Sequence, residues 1–115
     1  KIVILNFGAL IEESKSVADN LNATLIDMRF VKPLDENLLK SYLSNAEYFV
    51  SIEDGSVMGG AGSAVQEFCS KKNIEIKSIL FGIPDKFIEH ASREEMLHEA
   101  GLTADQILSK IRNTI

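Results

Sequence analysis

The chain is sparing with several features that would commit it to a particular chemistry. One cysteine, Cys69, stands among 115 residues, which excludes an internal disulfide and any metal site built from several cysteines. No apolar run approaches the roughly 20 residues that a membrane-crossing helix needs, and no segment reads as a signal peptide. Positive charge is in deficit, with 12 Lys and Arg against 17 Asp and Glu and a net charge of −5. That balance works against attraction to phosphate backbones or anionic lipid. Neither nucleic acid nor a membrane surface is therefore an expected partner. Cys69 lies in an apolar helical pattern that suits a buried, inert thiol, and the cytoplasm is the compartment that fits.

What is present is an alternation. The length serves one domain with a real core, and 45% hydrophobic with 25% charged residues is ordinary for a globular protein. "KIVILNFG" is a continuous apolar run closed by glycine, the pattern of a buried strand. Residues 9–21 read as a helix with Val17, Ala18 and Leu21 on one face. "ATLIDMRF" reads as a second strand, and Pro33 then breaks the chain. Asp35 is placed to cap the next helix, with Leu38, Leu39, Tyr42 and Leu43 expected inward. "AEYFVSIE" reads as a third strand, and Ala61, Ala64, Val65 and Phe68 follow at helical spacing. "IEIKSILFG" reads as a fourth strand. Two short helices then open with Ser92–Glu95 and Thr103–Gln106, each with capping-box spacing, and the last sets Ala104, Ile107, Leu108 and Ile111 on one stripe. Strands alternating with helices predict an α/β domain over residues 1–115. It has three layers: a mainly parallel sheet of about five strands, with helices on both faces. The chain opens on Lys1 and runs straight into a strand, as a piece of a longer protein would.

The candidate chemistry sits in "EDGSVMGGAGSAV", residues 53–65, a glycine-rich passage between strand and helix. A dinucleotide fingerprint needs three small residues at fixed spacing. From Gly60 the third is Val65, and the loop follows the third strand where the fingerprint follows the first. No Lys-Ser or Lys-Thr follows the glycines, so a P-loop is excluded. The amides of Gly60 to Ser63 still form a helix N-terminus that suits a small anion. The carboxylate of Glu53 or Asp54, or a group from a neighbouring domain, suits the same place. Ser63 lacks the G-x-S-x-G elbow of a nucleophilic serine, and His90 and His98 lack the i, i+4 spacing of a helical metal pair. Asp85, Glu89 and His90 form a polar patch after Pro84, and Arg29 follows the second strand near Asp27. No set of residues reads as catalytic, cofactor-binding or metal-ligating.

Three segments in series resemble one family: "DMRFVKPLDENLL" (27–39), "SIEDGSVMGGAGSAVQEF" (51–68) and "GIPDKFIEHASREEMLHEAGL" (82–102). They are similar to the last domain of 1-deoxy-D-xylulose-5-phosphate synthases, thiamine-diphosphate enzymes of the transketolase family. The first two segments also resemble, more loosely, transketolases and the beta subunits of 2-oxo-acid dehydrogenases, and "PDKFIEH" narrows the likeness to the synthases. The resemblance implies a three-domain, homodimeric enzyme that joins pyruvate to glyceraldehyde 3-phosphate with loss of carbon dioxide, for isoprenoid, thiamine and pyridoxal synthesis. It also implies that thiamine diphosphate and Mg²⁺ are held by domains other than this one. The residues expected to meet those domains, or an anion, are Arg29, Glu53, Asp54, Gly55, Gly59, Gly60, Gly62, Ser63, Asp85 and His90. The alternative is a regulatory module with an anion seated on Gly59 to Ser63.

Overall fold

A computed structural model of the chain describes residues 1–28, 34–53, 60–82 and 92–115. Its strands are β1 (Ile2–Phe7), β2 (Thr24–Asp27), β3 (Tyr48–Glu53) and β4 (Lys77–Gly82). Its helices are α1 (Ile11–Leu21), α2 (Glu36–Leu43), α3 (Ala61–Lys71), α4 (Arg93–Ala100) and α5 (Ala104–Thr114). All the strand pairs are parallel, in the order β2-β1-β3-β4. The expected parallel sheet with helices on both faces is present, with four strands among the described residues where about five were expected. The described chain after β4 carries caps and helical spacing, and forms α4 and α5.

The period of two along β1 sorts the core. Ile4 joins the cluster packed with Val17 and Ala18 of α1, Leu97 of α4, and Ile107 and Ile111 of α5. Val3, Leu5 and Phe7 turn to the other face, where they meet Leu39 and Leu43 of α2 and Val65 and Phe68 of α3. Both faces of β1 and β3 are therefore covered, which explains why these strands read as continuous apolar runs. Each large side chain buried in this way contributes on the order of 1.5–3 kcal/mol.

Local signals fix the helix ends. The Asp35 carboxylate accepts from Leu38 N–H at 3.0 Å, and Ser92 Oγ accepts from Glu95 N–H at 3.1 Å. Thr103 and Gln106 complete a reciprocal capping box. Helix α1 begins at Ile11, two residues later than the expected start, because Gly8 turns at φ 103° and Leu10 supplies the first carbonyl, to Ser14 N–H at 2.9 Å. Tyr42, expected inward, is 44% exposed. The buried stripe of α2 is Leu39–Leu43, and a residue at i+3 from Leu39 falls off its edge into solvent.

Candidate functional site

Because the sheet is parallel, all four strands end at one edge. The chain leaves β1 for α1 on one face and β3 for α3 on the other, although β1 and β3 are neighbours. This is the switch point at which open α/β sheets place their ligand and contact groups.

Glu53 is the last residue of β3, and its carboxylate reaches the start of α3. Oε2 accepts from Ala61 N–H at 3.0 Å and Oε1 from Gly60 N–H at 3.5 Å. These amides lack partners within the helix, and the negative charge meets the positive end of the helix dipole. Gly60, the N-cap residue, has φ 96°, a conformation that side chains with a Cβ rarely adopt. Gly82 lies against the same carboxylate, and a Cβ there would sit 3.3 Å from Glu53 Cγ.

Gly62 has a different task. It is buried in the first turn of α3, and a Cβ on it would fall on the Ser51 hydroxyl and 2.7 Å from Leu80 Cδ2. Its missing side chain is what lets α3 lie close on β3 and β4. Ser51 itself is 1% exposed, and its Oγ has no hydrogen-bond partner. Ser63, one position along, points away from this packing and is exposed.

The other expected contact residues, Arg29, Asp54, Gly55, Gly59, Asp85 and His90, lie outside the described residues. The structure thus brings together Glu53, Gly60 and Gly62, and turns Ser63 outward.

Two groupings on the same edge escaped the sequence reading. Asn6, fully buried at the end of β1, donates from Nδ2 to the Gly8 carbonyl at 3.0 Å and to Asp27 Oδ1 at 3.3 Å. Its Oδ1 accepts from the buried Ser14 hydroxyl at 3.0 Å, and its carbonyl accepts from Met28 N–H at 2.8 Å. One amide thereby ties the ends of β1 and β2 to the first turn of α1. The signal in the sequence is an amide inside an otherwise apolar run, "VILNF". Its partners depend on the β1–β2 register, which sets Asn6 opposite Asp27.

The second grouping is a fork between helices. Arg93 Nη1 and Nη2 donate to the two oxygens of Glu13, each at 3.1 Å, and Nη2 also approaches the Ala9 carbonyl at 3.4 Å. The hydrogen bond from Arg93 holds the Glu13 carboxyl below its ordinary pKa, against the opposing effect of burial. Elsewhere, Cys69 is 3% exposed and its thiol is pushed up by burial, so it stays protonated at neutral pH. His98 is exposed in the last turn of α4. Among the described residues, no three His, Cys, Asp or Glu side chains converge to hold a metal, and no helix is long and apolar enough to cross a membrane.

Comparison with known proteins agrees with this architecture. The family model described as "Transketolase, C-terminal domain" matches residues 1–107. The 1-deoxy-D-xylulose-5-phosphate synthase of Blochmanniella pennsylvanica is 49% identical over 110 residues, which is 96% of this chain and 18% of that protein. The same-named enzyme of Pseudomonas paraeruginosa is 46% identical over 115 residues, all of this chain and again 18% of the relative. A solved structure titled "Split gene transketolase, inactive beta4 tetramer" superposes with a TM-score of 0.83 at 29% identity, over 98% of this chain and 38% of that one. The chain thus spans about a fifth of the length of the curated relatives it matches.

Proposed function

Since the chain belongs to the family of transketolase C-terminal domains, we propose that it serves as the last domain of a 1-deoxy-D-xylulose-5-phosphate synthase. The observation that carries this reading is identity of 46–49% to synthases of that name over nearly the whole chain. In this role the parent enzyme joins pyruvate to glyceraldehyde 3-phosphate with release of carbon dioxide, working as a cytoplasmic homodimer. The domain contributes by packing: its carboxyl edge meets the other two domains or the dimer mate.

The geometry of that edge supports a contact role over anion capture. Two of the amides that would receive an anion, those of Gly60 and Ala61, already face the Glu53 carboxylate, and a phosphate there would meet a group of the same sign of charge. Thiamine diphosphate supplies the carbanion chemistry in such enzymes when bound, but the described residues do not fit it. They offer no converging carboxylates for its Mg²⁺, and the Ala61 amide at the α3 N-terminus is taken by Glu53. In this proposal, holding the cofactor falls to the other domains of the parent enzyme. What its own residues do is hold the edge in shape: Asn6 fixes the ends of β1 and β2, Glu53 fixes the start of α3, and Arg93 fixes α4 to α1.

Calorimetric titration of the 115-residue chain with thiamine diphosphate and Mg²⁺ tests the reading, alongside a synthase assay. We expect a cooperatively folded domain with no heat of binding and no product. Tight cofactor binding by this chain would overturn the assignment of that task to other domains. A transketolase or dehydrogenase beta subunit is the competing parent, and "PDKFIEH" together with the named relatives favours the synthase.

A further inference from the structure

Among the described helices, α4 is the one that buries least. Leu97 is its single buried side chain, whereas α5 buries Ile107 and Ile111 and α1 buries Ser14, Val17 and Ala18. Glu94, Glu95, His98 and Glu99 are exposed. α1 and α5 pack directly on each other, so the cluster that Leu97 joins does not depend on α4 to connect its other two helices. Local order in α4 comes from its own sequence, through the Ser92 cap and the acidic first turn. Its eight residues are too few for a helix to persist in water without packing.

Among the described residues, α4 is fastened at both ends. At its start the Arg93 guanidinium forks onto Glu13 and approaches the Ala9 carbonyl, and that side chain is 53% exposed. At its end Gly101 turns the chain at φ 74°. There Leu102 N–H donates to the Leu97 carbonyl at 2.7 Å, and Gln106 Nε2 donates to the His98 carbonyl at 3.1 Å. Leu102 is 1% exposed and belongs to the cluster in its own right. One buried leucine and one half-exposed ion pair favour the closed helix by roughly 10²-fold, against roughly 10³–10⁸-fold for a whole small domain. We propose that α4 is a latch: it opens as one unit between Arg93 and Gly101, releasing Leu97, while the sheet, α1 and α5 stay folded. Arg93 meets α1 beside the carboxyl end of β1, so opening bares an apolar place on the edge that the proposed function turns toward other domains. The latch itself is a property of this domain, whichever parent enzyme carries it.

Amide hydrogen exchange of the 115-residue chain, followed by NMR at several urea concentrations below the unfolding transition, provides the test. The amides of Met96, Leu97, His98, Glu99 and Ala100 are expected to share one opening constant, at least about tenfold larger than that of the β1 amides. Their exchange should rise little with urea, because opening one short helix exposes little surface. Protection within tenfold of β1, or a urea dependence as steep as that of β1, overturns the latch. Opening constants graded residue by residue from one end also overturn it, since they mean fraying. Two variants test the fastening. Arg93→Met should raise all five opening constants about two- to fivefold, the effect of losing a screened ion pair, and unchanged constants overturn the role of the fork. Glu53→Ala loosens the start of α3 and should speed β1 exchange about five- to thirtyfold, leaving α4 exchange as it was. A rise in α4 exchange in step with β1 would show that α4 opens only with the whole fold, and would overturn the proposal.

Discussion

Glu53 holds the start of α3 through two backbone amides, so the side chain's length and charge both carry weight. Glu53→Ala is expected to lower stability by about 1–2 kcal/mol, the usual cost of losing a helix cap, and Glu53→Gln by less, since an acceptor oxygen remains. Urea denaturation of the three proteins orders them. Gly62 makes a sharper demand, because even one methyl group meets Ser51 and Leu80. Gly62→Ala should cost about 1–3 kcal/mol by overpacking. Ser51 is the complement: its buried hydroxyl lacks a partner, so Ser51→Ala should be neutral or stabilising by about 1 kcal/mol. Combining Gly62→Ala with Ser51→Gly should recover part of the loss, and a double-mutant cycle without such recovery would show that Leu80 alone sets the limit.

At the scale of elements, the fork between α1 and α4 makes stability depend on acid. Arg93 depresses the pKa of Glu13 in the folded protein relative to the unfolded chain. The pair therefore stabilises fully above the ordinary carboxylate range, near about pH 4.3, and the contribution is lost as pH falls through that range and then through the lower folded value. Arg93→Met should cost roughly 0.5–1 kcal/mol at neutral pH, a modest figure because the guanidinium is half exposed and screened. The difference from the native chain should close on acidification, and carboxyl titration by NMR should find Glu13 returned to the ordinary range. The elements themselves were legible because their signals are local: Asp35, Ser92 and Thr103 cap the helices where their spacing says. The folding-back of Glu53 was legible only as one of several occupants, since nothing local chooses between a carboxylate and an anion. Asn6 with Asp27, and Glu13 with Arg93, were not legible at all. The first pair needs a strand register and the second spans 80 residues of chain.

For the whole molecule, the sheet sets two unlike ends, one with polar fastenings and one with a groove lined by both polar and apolar side chains. The fold class followed from alternation of strand and helix patterns. The strand count differed, four among the described residues against about five expected, because spacing cannot reveal where a sheet stops adding strands. Opening the whole fold should expose both core clusters together, since the helices of each pack on the same sheet. A single transition in urea, coincident by circular dichroism and by tyrosine fluorescence, is the expected result. Separate transitions would mean that the α2–α3 face melts independently of the other.

The solitary thiol gives this molecule a clock of its own. Cys69 is 3% exposed, packed on α3 against the sheet beside the groove at its amino edge, and burial pushes its thiol pKa up. A bulky thiol reagent should therefore react slowly with the folded chain and faster whenever this packing opens. Since these 115 residues hold no second cysteine to compete for the label, the rate of its modification in this chain counts those openings.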